Sequence, residues 1–106
     1  MHAKTKARYE ARARVLRALA HPMRLYLVDE VASRERCVTD LAVLAGADIS
    51  TVFQHLAVLK SAGILEARRS GMRVYYRLRC PCVVNFFGCV EAVLKANARK
   101  EAALAR

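Results

Sequence analysis

The chain has 106 residues, 56% of them hydrophobic, which allows one compact domain and leaves little for a second. Nineteen Lys and Arg face nine Asp and Glu, for a formal charge of +10, and fourteen of the cations are Arg. So strong a field on a small domain repels itself and points to a polyanionic partner; the Arg excess favours nucleic acid over an anionic membrane, because a guanidinium matches phosphate and guanine.

The first helix is expected over residues 4–20, rich in Ala and Arg, with Val15, Leu16 and Leu19 as an apolar edge and Arg8, Arg12 and Arg14 free for solvent. His21-Pro22 interrupts it, since Pro suits the first position of a new helix. That second helix runs from Pro22 to Ser33, with Leu25, Val28 and Val31 or Ala32 inward. Ser33-Arg34-Glu35-Arg36 is expected as a turn. A short third helix spans Thr39 to Ala45 and stops at Gly46, and Asp48 caps a fourth from Ile49 to Ala62. Two short helices joined by a Gly-containing turn form a helix-turn-helix over 39–62.

The period then changes. Ile64 to Arg68 and Arg73 to Leu78 read as strands around Arg69-Ser70-Gly71-Met72, a hairpin within 64–79 whose tip is basic. A long helix over 81–103 follows, apolar through Val83, Val84, Phe86, Phe87, Val90, Val93 and Leu94. One side can pack on its own domain; the rest needs a cover, and self-association is the simplest one. The expected fold is a single domain over 1–106, mainly α with a small β-hairpin, a winged helix-turn-helix of order α-α-α-α-β-β-α that dimerises through its terminal helices. No stretch approaches the roughly 18 apolar residues of a membrane span, and the basic N-terminus lacks the apolar core of a secretory signal. A cytoplasmic chain with reduced cysteines and no membrane partner is therefore expected.

A reading helix lays its N-terminal residues against base edges in the major groove. On the fourth helix Ser50, Thr51, Gln54 and His55 lie on or near the face opposite the Val52, Leu56, Leu59 stripe, with hydroxyl, amide and imidazole groups suited to bases or phosphates. Phe53 either touches a thymine methyl or packs back on the domain. Arg68, Arg69 and Arg73 on the hairpin suit phosphate or minor-groove contact, giving affinity and salt dependence more than sequence choice. Arg24 reads as a positioning or structural residue.

The ordered series His21-Pro22-Met23-Arg24-Leu25, Val38-Thr39-Asp40-Leu41, Ser50 to Leu65 and Gly71 to Leu78 resembles the ArsR-type (ArsR/SmtB) family across nearly the whole chain. That resemblance implies a bacterial winged-helix repressor sensing metals, metalloids or thiol chemistry, with no catalytic activity. Phe53 departs from it, since a small polar residue is usual there. A dimer would set two reading helices about one DNA turn apart and so bind an inverted-repeat operator in double-stranded DNA.

Cys80-Pro81-Cys82 opens the last helix, Cys89 lies two turns on, and Cys37 precedes the third helix. Several cytosolic thiols invite a soft-ion or redox role, although a free Cys also packs as a small hydrophobe. Seven helical residues separate Cys82 from Cys89 and rise about 10 Å, too far for metal–sulfur bonds of about 2.3 Å to one ion. Both can join one site only if the helix start unwinds or the other subunit contributes; the expected site takes Cys80 and Cys82 from one chain and Cys89 from its partner, with Cys37 a further candidate. Zinc-sensing members resemble this chain with an Asp-x-His pair where Cys80 and Cys82 stand, but their later His and Glu correspond to Val93 and Ala96, so that zinc site is not expected. The resemblance leaves a thiophilic effector, arsenite favoured, and no obligatory cofactor. The Cys-Val-Cys of arsenic sensors is only half kept in Cys37-Val38-Thr39, and persulfide sensors carry a Cys where Asp29 stands. A thiol-redox or reactive-sulfur sensor stays the alternative. His2, His21 and His55 show no metal spacing. A thiol-disulfide enzyme would want Cys-x-x-Cys beside a βαβ unit, and an RNA module an aromatic sheet platform; the chain offers neither.

Overall fold

The architecture comes from a computed structural model that describes residues 1–105. Helix α1 (Ala3–Leu19) consists largely of Ala, Arg and Lys, which lose little freedom in helical backbone. The residue before a proline is pushed out of the helical region, and His21 is accordingly extended at φ −152°, ψ 131°. It caps α2 (Pro22–Ser33), its Nδ1 accepting the Met23 N–H at 3.1 Å.

The polar tract after α2 is shorter as a turn than its composition suggests. Arg36 and Cys37 form a two-residue strand, β1, paired antiparallel with Tyr76 and Tyr75. Two residues carry no periodicity of their own; the open edge of a later strand recruits them.

Helices α3 (Val38–Ala45) and α4 (Ile49–Ser61) meet in a corner of 112°. Gly46 makes that corner at φ 64°, with its N–H on the Val43 carbonyl and the Ala47 N–H on the Ala42 carbonyl, both 3.2 Å. Asp48 then starts α4, its Oδ1 accepting the Thr51 N–H at 2.8 Å. Gly63 ends α4 in the same left-handed way at φ 81°, and any Cβ there would stand 2.8 Å from the Arg79 guanidinium.

Strands β2 (Leu65–Ser70) and β3 (Arg73–Leu78) complete a sheet of order β1-β3-β2. Arg69 pairs with Val74 and Ser70 with Arg73, so the turn is Gly71-Met72 alone and the wing is longer than the expected hairpin. The last helix, α5 (Val83–Leu104), begins two residues after Pro81, leaving Cys80, Pro81 and Cys82 in a tight turn whose carbonyls accept from Val83, Val84 and Asn85.

The core gathers Leu27, Val28 and Val31 of α2, Leu41 of α3, Val52, Leu56 and Leu59 of α4, and Leu65 and Tyr76 of the sheet. Leu25, expected inward, is 38% exposed; α2 turns Leu27 inward instead. Helix α5 buries no residue fully and meets the core through Val83 and Phe87. Val84, Phe86, Val90, Val93 and Leu94 stay exposed. Between α1, α2 and α5 lies a cleft of about 350 Å³ lined by Leu16, Leu19, Leu25, Phe86, Phe87 and Val90. Among the described residues no single helix is long and apolar enough to cross a membrane; α3 and α4 meet those limits only as a bent pair.

Candidate nucleic-acid interface

Helix α4 divides into two faces. Val52, Leu56 and Leu59 are fully buried, while Ser50, Thr51, Phe53 and Gln54 are exposed. The Asp48 cap orders the first turn, because its carboxylate also takes a 3.4 Å hydrogen bond from Ser50 Oγ. Hydrogen bonds from Thr51 lower the Asp48 pKa, so the cap is a carboxylate at neutral pH. Phe53 is 53% exposed and stands at the mouth of a groove it lines with Lys60, Ala67, Val74 and Tyr76, between α4 and the wing.

His55 differs from its neighbours. It is half-buried, and its Nδ1 accepts a hydrogen bond from Arg24 Nε at 3.2 Å. The His21 ring lies 4.4 Å from it, centroid to centroid. Burial, then the neighbouring His21 and Arg24, hold the His55 pKa below the usual imidazole value. At about 100° per residue, position 55 sits roughly 60° from Val52, at the flank of the buried stripe rather than opposite it. That angle was the signal for an inward tie, and Arg24, three residues after His21, was the partner that pattern reasoning left unpaired.

The three wing arginines also separate. Arg68 Nη2 bonds Glu35 Oε2 at 2.8 Å and its guanidinium lies 5.3 Å from the Tyr75 ring centroid. Its hydrogen bond lowers the Glu35 pKa and keeps that carboxylate charged. Arg73 Nη1 stands 3.8 Å from Cys37 Sγ. Arg69 only reaches the Gly71 carbonyl beside it, at 3.5 Å, and stays the most available cation of the tip.

The four thiols do not converge. Cys37 is buried at the N-cap of α3, whereas Cys80, Cys82 and Cys89 are exposed. Among the described residues no three His, Cys, Asp or Glu side chains gather closely enough to hold a metal ion. Any soft-ion site built from Cys80, Cys82 and Cys89 must therefore draw on more than this chain in this conformation.

A helix pair bent at 112° whose second member exposes a polar N-terminal face, followed by a two-stranded basic wing, is a winged helix-turn-helix. The profile described as "Bacterial regulatory protein, arsR family" matches residues 21–67. An HTH-type transcriptional regulator of Mycobacterium tuberculosis is 42% identical over 81 residues, 76% of this chain and 36% of the relative. The transcriptional repressor SmtB of the same species is 41% identical over 69 residues, 65% of this chain and 51% of its own length. The chain thus spans a third to a half of these curated relatives. A Mycobacterium bovis domain, described as a homodimeric winged helix-turn-helix DNA-binding domain of a possible ArsR-family regulator, superposes with a TM-score of 0.79 at 37% identity, covering 90% of this chain and 88% of that one. The chain belongs to the ArsR family of bacterial transcriptional regulators.

Proposed function

We propose that this chain works as a homodimeric repressor that binds an inverted-repeat operator in double-stranded DNA and leaves it when a thiophilic species engages its cysteines. The observation that carries the DNA-binding half is the exposed face of α4, where Ser50, Thr51 and Gln54 stand clear of the core beside a wing bearing Arg69. Such side chains suit base edges and phosphates, and the +10 charge supplies the attraction. Dimerisation is supported by the uncovered apolar side chains of α1 and α5 and by the homodimeric state named for the Mycobacterium bovis domain.

The effector reading rests on thiol chemistry. Cys80 and Cys82 are exposed just ahead of α5, and Cys89 is exposed on it. With Cys89 of the partner subunit they would offer three sulfurs, a donor set that favours arsenite or another soft ion. Effector binding releases DNA only if it favours a dimer in which the two α4 helices no longer match the half-sites. A second reading, oxidation or persulfidation, is favoured by the exposure of two thiols, Cys80 and Cys82, separated only by Pro81. The deciding experiment is fluorescence anisotropy with duplexes selected from a randomised pool, repeated with arsenite, cadmium and a persulfide donor. Saturable duplex binding, released by one class of effector and insensitive to it in Cys80→Ser and Cys82→Ser, is expected. No duplex binding at low ionic strength sinks the repressor; binding indifferent to every agent sinks the sensor.

A further inference from the structure

Arg24 joins three helices through one guanidinium. From α2, its Nη1 donates to the Ala18 carbonyl at the end of α1, 3.4 Å away, and its Nε donates to His55 Nδ1 on α4, 3.2 Å away. A neutral imidazole carries one N–H, and the partner of one nitrogen decides which. With Nδ1 occupied as an acceptor, the proton belongs on Nε2. Nε2 has no protein partner among the described residues and is not a buried unsatisfied atom, so it opens to solvent.

We infer that Arg24 is a positioning residue that locks His55 in the Nε2–H tautomer, so that α4 offers a hydrogen-bond donor and no acceptor at this position. The inference rests on α4 being the DNA-reading helix and says what it can read. A donor pairs with a phosphate oxygen, a purine N7, guanine O6 or thymine O4, and is refused by the amino groups of adenine and cytosine. The surroundings hold the ring in the form that can be locked: His21 and Arg24 face it from the start of α2. Added positive charge on His55 would meet the Arg24 guanidinium and the His21 ring. It would also put a proton on the nitrogen that Arg24 occupies.

The test uses the full chain. In the free protein at neutral pH, long-range ¹H–¹⁵N spectra of ¹⁵N-histidine should show His55 as the Nε2–H tautomer, and Arg24→Met should turn it into a mixture. Against duplexes that the wild type selects from a randomised pool, Arg24→Met should bind more weakly by the fraction of its rings left in the Nε2–H form, about twofold for an even mixture. A second pair of variants guards against a misfolded Arg24→Met. His55→Gln places an amide donor where Nε2 stands and should keep most of the affinity; His55→Asn offers Arg24 an oxygen near Nδ1 but no donor of that reach, and should lose about tenfold. An Nδ1–H tautomer in the wild type, unchanged affinity in Arg24→Met, or equal binding by the Asn and Gln variants overturns the proposal. A wild type that selects no duplex overturns the DNA-reading helix, while the spectra of the free protein still decide the lock by themselves.

Discussion

Helices α4 and α5 carry apolar side chains in comparable density, yet they end in opposite states. Val52, Leu56 and Leu59 of α4 are fully covered by their own chain, whereas Val84, Phe86, Val90, Val93 and Leu94 of α5 remain in solvent. A single chain therefore completes the surface that would face DNA. It does not complete the seam that would set two such surfaces at a fixed spacing. The uncovered residues of α5 continue across the cleft onto Leu16 of α1 and Leu25 of α2, so the unfinished surface spans three helices.

The sharpest way to break this contrast is to damage each helix in turn. Leu56→Ala removes a side chain with no exposed surface and should cost about 2–5 kcal/mol in denaturant unfolding. A loss under about 1 kcal/mol would mean that α4 is not anchored as its burial indicates. Val90→Asp should act elsewhere, placing a charge in the α1–α5 cleft. Light scattering should show the dimer giving way to monomer, and duplex affinity should drop at least tenfold while helical content persists, because paired half-sites need paired heads. A persistent dimer would move the seam off α5.

A smaller effect separates the three wing arginines. Arg69 has only a carbonyl beside it, whereas Arg68 is held by Glu35 and Arg73 lies against Cys37. Arg69→Ala should lower the slope of log affinity against log salt by about one for each half-site. Arg68→Ala should change that slope less, since its charge is already partly neutralised by Glu35. Equal slopes for the two variants would show that Arg68 leaves Glu35 to meet phosphate.

Much of this architecture was legible because punctuation residues act locally. Pro22, Gly46, Asp48 and Gly63 set helix ends through their own backbone and caps, and each stands where composition placed it. What stayed hidden depends on distant partners. Strand β1 exists only because β3 has an edge to offer, and Arg69-Ser70 extend β2 only because Val74 and Arg73 face them. The phase of α2 was misplaced at Leu25, since Leu25 and Leu27 are equally apolar and tertiary packing chose between them. Within the candidate interface, residue types were readable but their commitments were not: nothing local says that His55 is held by Arg24 or Arg68 by Glu35.

The smallest expected effect concerns pH, and it probes the half-buried edge of α4 against its exposed face. Burial, His21 and Arg24 hold the His55 pKa below its ordinary 6.5, so folding favours the neutral ring. The associated stability is fully present above 6.5 and declines as pH falls through that value toward the lower folded one, because the unfolded chain takes up the proton first. Glu35 and Asp48 are also lowered, but from 4.5 and 3.8, so their contributions fade only at more acid pH. The two windows can be separated in one series of chemical denaturation curves. Wild type should lose stability on the acid side of 6.5, and His55→Gln should flatten that first decline while keeping the second. If both proteins decline alike, the ring is not held neutral in the folded chain. The flank of α4 would then be as freely solvated as Ser50 and Gln54, and the distinction between its edge and its open face would vanish.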